Sequence, residues 1–181
     1  MNSIIICIDP GLSGGIAWQD KEGVIHAEPM PEGMTAQDDM IREISGQDCC
    51  VCLENIQKGT AAITTKIVRI ALMEKTGTYY HGESAPNAVK FSRHCGNLES
   101  ALYLCGFSAV QVPPIKWQSP LPLTKFPPIK RYDPRIRKVE IARRKTIHKR
   151  EIKEEMQRRY PHLRVTLKIA DALGILTWGM R

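Results

Sequence analysis

No stretch of about 18 or more uncharged apolar residues occurs in this 181-residue chain, so no transmembrane helix and no membrane partner are expected. The N-terminus lacks a basic leader followed by an apolar run and a cleavage site, so no signal peptide is expected. The six cysteines, Cys7, Cys49, Cys50, Cys52, Cys95 and Cys105, do not have the spacing of a zinc site with paired CxxC or HxxxH ligands. Several lie in apolar runs, which predicts buried free thiols in a reducing cytosol. There is no internal repeat. Length and a normal hydrophobic content of 43% fit one soluble domain spanning residues 1–181.

Acids are scarce in one segment. Residues 116–150 hold only Asp133 and Glu140 against twelve Lys and Arg, whereas the rest of the chain has 14 basic and 17 acidic side chains. A one-signed block beside a mildly acidic body predicts a polyanionic partner, most simply nucleic acid. Residues 113–134 also hold seven of the twelve prolines. This predicts an extended, partly mobile basic loop at about 113–136 rather than regular structure.

What is present is organised around Ile4 to Trp18. Ile4-Ile5-Ile6-Cys7-Ile8 reads as a central buried strand and ends in Asp9. Pro10, Gly11, Gly14 and Gly15 make a turn, and Ile16 to Trp18 begin a return strand. A carboxylate there either caps the turn or binds a cation. Cys49 to Leu53 is a second buried strand ending in an acid, Glu54. Other strands are read at Gly23–Ala27 and Ser108–Val112. Helices are read from an N-cap at Thr35 to Ile44, at Thr60–Thr76, Ser92–Leu104, Arg137–Tyr160 and Leu167 to about Trp178. Residues 78–90 read as irregular or a small hairpin. The whole is an α/β domain with a mixed sheet.

Asp9, Glu54 and Asp171 are each an acid beside apolar sequence. If their elements meet, the cluster needs a compensating cation, for which Mg²⁺ or Mn²⁺ is the natural choice. Such ions activate water and stabilise the leaving oxygen of a phosphodiester. His94 and His148 are lone histidines, and Trp117 is open to two readings, a base-stacking ring or a core anchor.

Residues 8–17, Leu53-Glu54-Asn55, Val112 to Trp117 and Ala170-Asp171-Ala172-Leu173-Gly174 together resemble the RuvC-type Holliday junction resolvases, particularly their phage-like relatives, in the RNase H-like superfamily. Residues 56–95 and 118–166 match only loosely. The resemblance implies an RNase H-like, five-stranded mixed sheet flanked by helices, and a homodimer. It also implies a Mg²⁺-dependent crossover junction endodeoxyribonuclease acting on four-way DNA junctions in the cytoplasm, or in a host cytoplasm if phage-encoded. It makes Asp9, Glu54 and Asp171 the metal-binding acids. The family's usual fourth acid is replaced by Lys168, one helical turn before Asp171. Lys168 and Lys116 are candidates to neutralise the scissile phosphate. Lys125, Lys130, Arg131, Arg135, Arg137 and Lys138 are the expected DNA contacts. The rival readings are a catalytically impaired nucleic-acid-binding protein, favoured by Lys168, and a nuclease of flaps or RNA–DNA hybrids.

Overall fold

The computed structural model describes residues 4–11, 13–44, 49–54, 85–128 and 134–181. Five strands form one mixed sheet: β1 (Ile4–Asp9), β2 (Gly15–Gln19), β3 (Ile25–Pro29), β4 (Cys49–Glu54) and β5 (Val110–Val112), in the order β3-β2-β1-β4-β5. β1, β2 and β3 pair antiparallel, and β4 runs parallel to both β1 and β5.

Alternation along the strands sends side chains into two separate cores. Ile4, Ile6, Ile8, Ile16, Val51 and Leu53 meet Ile41 of α1 (Met34–Ile44) and Leu98, Ala101 and Leu102 of α2 (Ala85–Leu104). Cys7, Ala17, Cys52 and Val112 point the other way. There they meet Trp117 of α3 (Pro114–Gln118), Ile152 and Met156 of α4 (Pro134–Arg159), and α5 (Ala170–Gly179). The chain is therefore α/β, with a five-stranded mixed sheet flanked by helices. No helix among the described residues is long and apolar enough to cross a membrane.

Several boundaries differ from the sequence reading. α1 starts at Met34, so Thr35 lies in its first turn and is not the cap. β3 is shifted to Ile25–Pro29. α2 begins at Ala85, so residues 85–90 are helical rather than irregular; Pro86 is tolerated in the first turn, and the helix runs on through Gly96. The helix expected at Thr60–Thr76 lies outside the described residues. α5 begins only at Ala170, and Leu167–Ile169 form a turn. Of the free cysteines, Cys7, Cys52 and Cys95 are buried, but Cys50 is exposed.

The proline-rich stretch departs most from expectation. Pro114 occupies the first turn of α3, where its missing N–H costs nothing. Beyond it, residues 121–128 are tied along α4. Glu151 accepts from the Thr124 N–H at 3.0 Å and from its hydroxyl. His148 Nε2 meets the Thr124 carbonyl at 2.9 Å, Arg144 donates to the Pro127 carbonyl at 2.6 Å, and the Arg144 guanidinium lies 5.0 Å from the Phe126 ring centre. α4 starts at Pro134, so residues 134–136 are helix rather than loop.

Candidate functional site

β1 and β4 run in the same direction, with Ile8 opposite Leu53, so Asp9 and Glu54 are the next step at the same sheet end. They continue the row of Cys7 and Cys52, on the face that α5 covers. Asp171, in the first turn of α5, comes to the same place from above. All three side chains are half-buried.

Their electrostatics show that they meet. Burial and then the Asp9 charge push Glu54 from its ordinary 4.5 to about 7, with Asp171 adding to the rise. Burial and Asp9 push Asp171 from 3.8 to about 6. Burial raises Asp9 as well; the Gly11 N–H at 3.3 Å, Lys149, a hydrogen bond with Glu54 and the charge of His94 pull it back. Acids whose pKa a neighbouring carboxylate raises lack a positive partner of matching strength.

The turn that carries Asp9 leaves no room for a side chain at Gly14 or Gly15. A Cβ at Gly14 would stand 2.2 Å from the Asp9 carbonyl oxygen, and one at Gly15 would stand 2.8 Å from the carbonyl oxygens of Glu28 and Lys168. These close approaches lock the β1–β2 turn against β3 and against the turn that enters α5.

Glu54 is held by Trp117. The indole Nε1–H donates to Glu54 Oε1 at 3.1 Å, and the ring is completely buried. Gly174, one turn after Asp171, lies flat on that ring; a Cβ there would stand 2.5 Å from Cζ3. Trp117 thus links the β4 acid to the helix that bears the third acid. Of the two readings of Trp117, the core anchor holds, and a ring with no exposed surface cannot stack on a base.

The lysines fall differently from the sequence reading. Lys168 is exposed in the turn that enters α5, just ahead of the N-cap Ile169. Lys116 is exposed on α3. The cation whose charge acts on all three acids is Lys149 of α4. It stands one turn before Ile152 and two before Met156, the residues that dock α4 on the core. That apolar stripe is the signal in the sequence that points to it. Of the expected DNA contacts, Lys125 and Arg137 are exposed. Lys130 and Arg131, and the side chains of Arg135 and Lys138, lie outside what the structure describes.

His94 of α2 is buried, with Gln37 Nε2 3.2 Å from its Nδ1. The next residue, Cys95, places Sγ 4.0 Å from the Pro10 carbonyl. His148 is bound to the Thr124 carbonyl in the strap.

Three carboxylates offer only oxygen donors, which suits a hard divalent cation. As placed, however, no three His, Cys, Asp or Glu side chains among the described residues are arranged to hold a metal ion. No protein-family model matches the chain, and no curated protein is significantly similar to it.

Proposed function

We propose that this chain is a metal-dependent, structure-selective endonuclease that cuts branched DNA, a RuvC-type junction resolvase of the RNase H-like superfamily. The observation that carries the reading is the convergence of Asp9, Glu54 and Asp171 beside the basic α4, where the Asp9 charge raises the proton affinity of the other two. The β3-β2-β1-β4-β5 order, with a leading antiparallel meander and parallel β4 and β5, supports it. The motifs at residues 8–17 and 170–174 fall at this cluster.

In this reading Asp9, Glu54 and Asp171 would hold Mg²⁺ or Mn²⁺. Such an ion, when bound, supplies an activated water and neutralises developing phosphate charge. The protein's part is orientation and charge. Trp117 fixes the Glu54 carboxylate through its N–H, and Gly174 fixes Trp117. Lys149 supplies a positive charge that offsets the acids before substrate arrives. The strapped segment at 121–128 and the exposed Lys125 and Arg137 present cations to the backbone of the arms. A four-way junction has approximate two-fold symmetry and needs two sites, which an isologous homodimer supplies. The reaction would take place in the cytoplasm.

A second reading, binding without cleavage, is favoured by Lys168 in the place of a fourth acid and by the lack of a ready-made metal cluster among the described residues. One assay separates the readings. Four-way junction, flap, duplex and RNA–DNA hybrid substrates are incubated with the protein in Mg²⁺ and in EDTA. Paired nicks in the junction with Mg²⁺ alone support the resolvase. Binding without nicks supports the second reading, and cutting only of flaps or hybrids moves the substrate class.

A further inference from the structure

Three of the six thiols stand in one row on the face of the sheet that α5 covers. Cys7 of β1 and Cys52 of β4 are direct partners in the parallel register, and both are buried. Their side chains converge: a Cβ at Gly179, the last residue of α5, would stand 3.6 Å from Cys52 Sγ and 3.7 Å from Cys7 Sγ. Val51 and Leu53 enter the other core, so alternation puts Cys50 on the same side of β4 as Cys52. The strand partner of Cys50 is Ile5, which packs against the same core as Cys7 and Cys52. Cys50 is exposed, and Cys52 interacts with the thiols of both Cys50 and Cys7. The row therefore runs from solvent into the interior.

No three Cys, His, Asp or Glu side chains among the described residues are arranged to hold a metal ion, so the row is not a ligand set. Its spacing suits thiol exchange. Neighbouring strands stand about 4.7–4.9 Å apart, inside the Cα range of about 4.4–6.8 Å that a disulfide spans. Residues i and i+2 of one strand stand about 6.4–6.8 Å apart, at the outer limit of that range. A Cys50–Cys52 bond is therefore strained and readily exchanged, whereas a Cys7–Cys52 bond is relaxed.

We propose that Cys50, Cys52 and Cys7 are a thiol relay that hydrogen peroxide oxidises to a buried Cys7–Cys52 disulfide, a covalent tie between β1 and β4. The exposed Cys50 sulfur takes an oxygen from peroxide. The O–O bond breaks, an S–O bond forms, and one water leaves behind a sulfenic acid. The Cys52 thiol displaces that hydroxyl as a second water and forms the strained Cys50–Cys52 bond. The Cys7 thiol then attacks the Cys52 sulfur, and Cys50 departs as a thiol with the proton that Cys7 gives up. In sum, two thiols lose two hydrogens and one peroxide becomes two waters. The tie lies two residues before Asp9 and Glu54, on the strands that carry them. In a reducing cytosol such a bond is transient and senses oxidant.

The test uses the full chain, reduced, desalted and then exposed to hydrogen peroxide. Free thiols are blocked with N-ethylmaleimide, and the chain is digested with trypsin without reductant. Cleavage after Lys21, Arg42 and Lys58 should leave residues 1–21 joined to residues 43–58, and fragmentation should place the bond between Cys7 and Cys52. Dithiothreitol should separate the two peptides. The oxidised chain should unfold at a higher temperature than the reduced one, because the tie constrains the unfolded state. Cys50→Ser, at an exposed position, should slow the cross-link by about tenfold or more and leave the final product the same. Cys7→Ala should leave the bond inside residues 43–58, between Cys50 and Cys52. The proposal is overturned if no peptides are joined once Cys50 is consumed, if Cys49 supplies the bond instead, or if Cys50→Ser cross-links at the wild-type rate. The cross-link is read without DNA or metal, so it stands or falls separately from the nuclease reading.

Discussion

On the face covered by α3, α4 and α5, the acids are approached through shape. Trp117 has no exposed surface, Gly174 admits it only by lacking a side chain, and α5 is buried along most of its length. On the face covered by α1 and α2, the contacts are aliphatic, through Ile41, Leu98, Ala101 and Leu102, with one buried polar pair, Gln37 and His94. The first face sets where the carboxylates stand, because displacing a rigid indole moves Glu54 with it. The second face tolerates change in its packing, because flexible aliphatic chains repack at low cost.

The largest effect tests the acids themselves. Asp9→Asn should lower junction cleavage by roughly 10³-fold or more, a loss typical of a required group, while binding stays intact or tightens as a charge near phosphate disappears. Gel-shift and single-turnover assays read the two effects separately.

Next comes stability against pH. Glu54 has a folded pKa of about 7 against an ordinary 4.5. A raised acid binds its proton more tightly in the folded state, so no penalty exists below about pH 4.5 and the full penalty applies above about 7. Glu54→Gln keeps an acceptor for Trp117 and should stabilise the metal-free protein at pH 8 by up to about 3 kcal/mol. At pH 4 it should gain almost nothing. Urea unfolding at both pH values measures the difference.

The packing contrast between the faces is smaller. Gly174→Ala should destabilise by about 1–3 kcal/mol through overpacking on the indole, whereas Leu98→Met on the other face should cost under about 1.5 kcal/mol. Equal losses would erase the distinction between the two faces. Smallest are the surface cations. Lys125→Ala and Arg137→Ala should each weaken binding to all DNA sequences alike, and flatten the salt dependence by about one unit of slope for each phosphate that is no longer neutralised. Filter binding at several salt concentrations checks this.

Much of the site was readable before the fold was known. An apolar run closed by Asp9 and a glycine turn specifies a central strand and its end, and Cys49 to Glu54 repeats the pattern. Such signals are local. What was not readable depends on close approach between distant segments. Lys168 stands ahead of the N-cap of α5, and its carbonyl packs where a Cβ on Gly15 would sit. Lys149 reaches the acids only because Ile152 and Met156 set the rotation of α4. The Trp117 N–H finds Glu54 because Gly174 clears its path. His94 looked like any lone histidine, yet it is buried against Gln37. Composition alone also made the proline-rich segment look loose, yet Thr124 and Pro127 bind it to α4.

The central claim is that the three acids form one divalent-cation site. Titration calorimetry of the wild type with Mg²⁺ and Mn²⁺, in buffers of different ionisation enthalpy, tests it most directly. With Glu54 near 7 and Asp171 near 6, binding should release protons at pH 6, and the release should vanish by pH 8 as both groups ionise. Asp9→Asn should lose the binding. Unchanged metal binding in Asp9→Asn, or no binding at millimolar Mg²⁺ and Mn²⁺, would contradict the account.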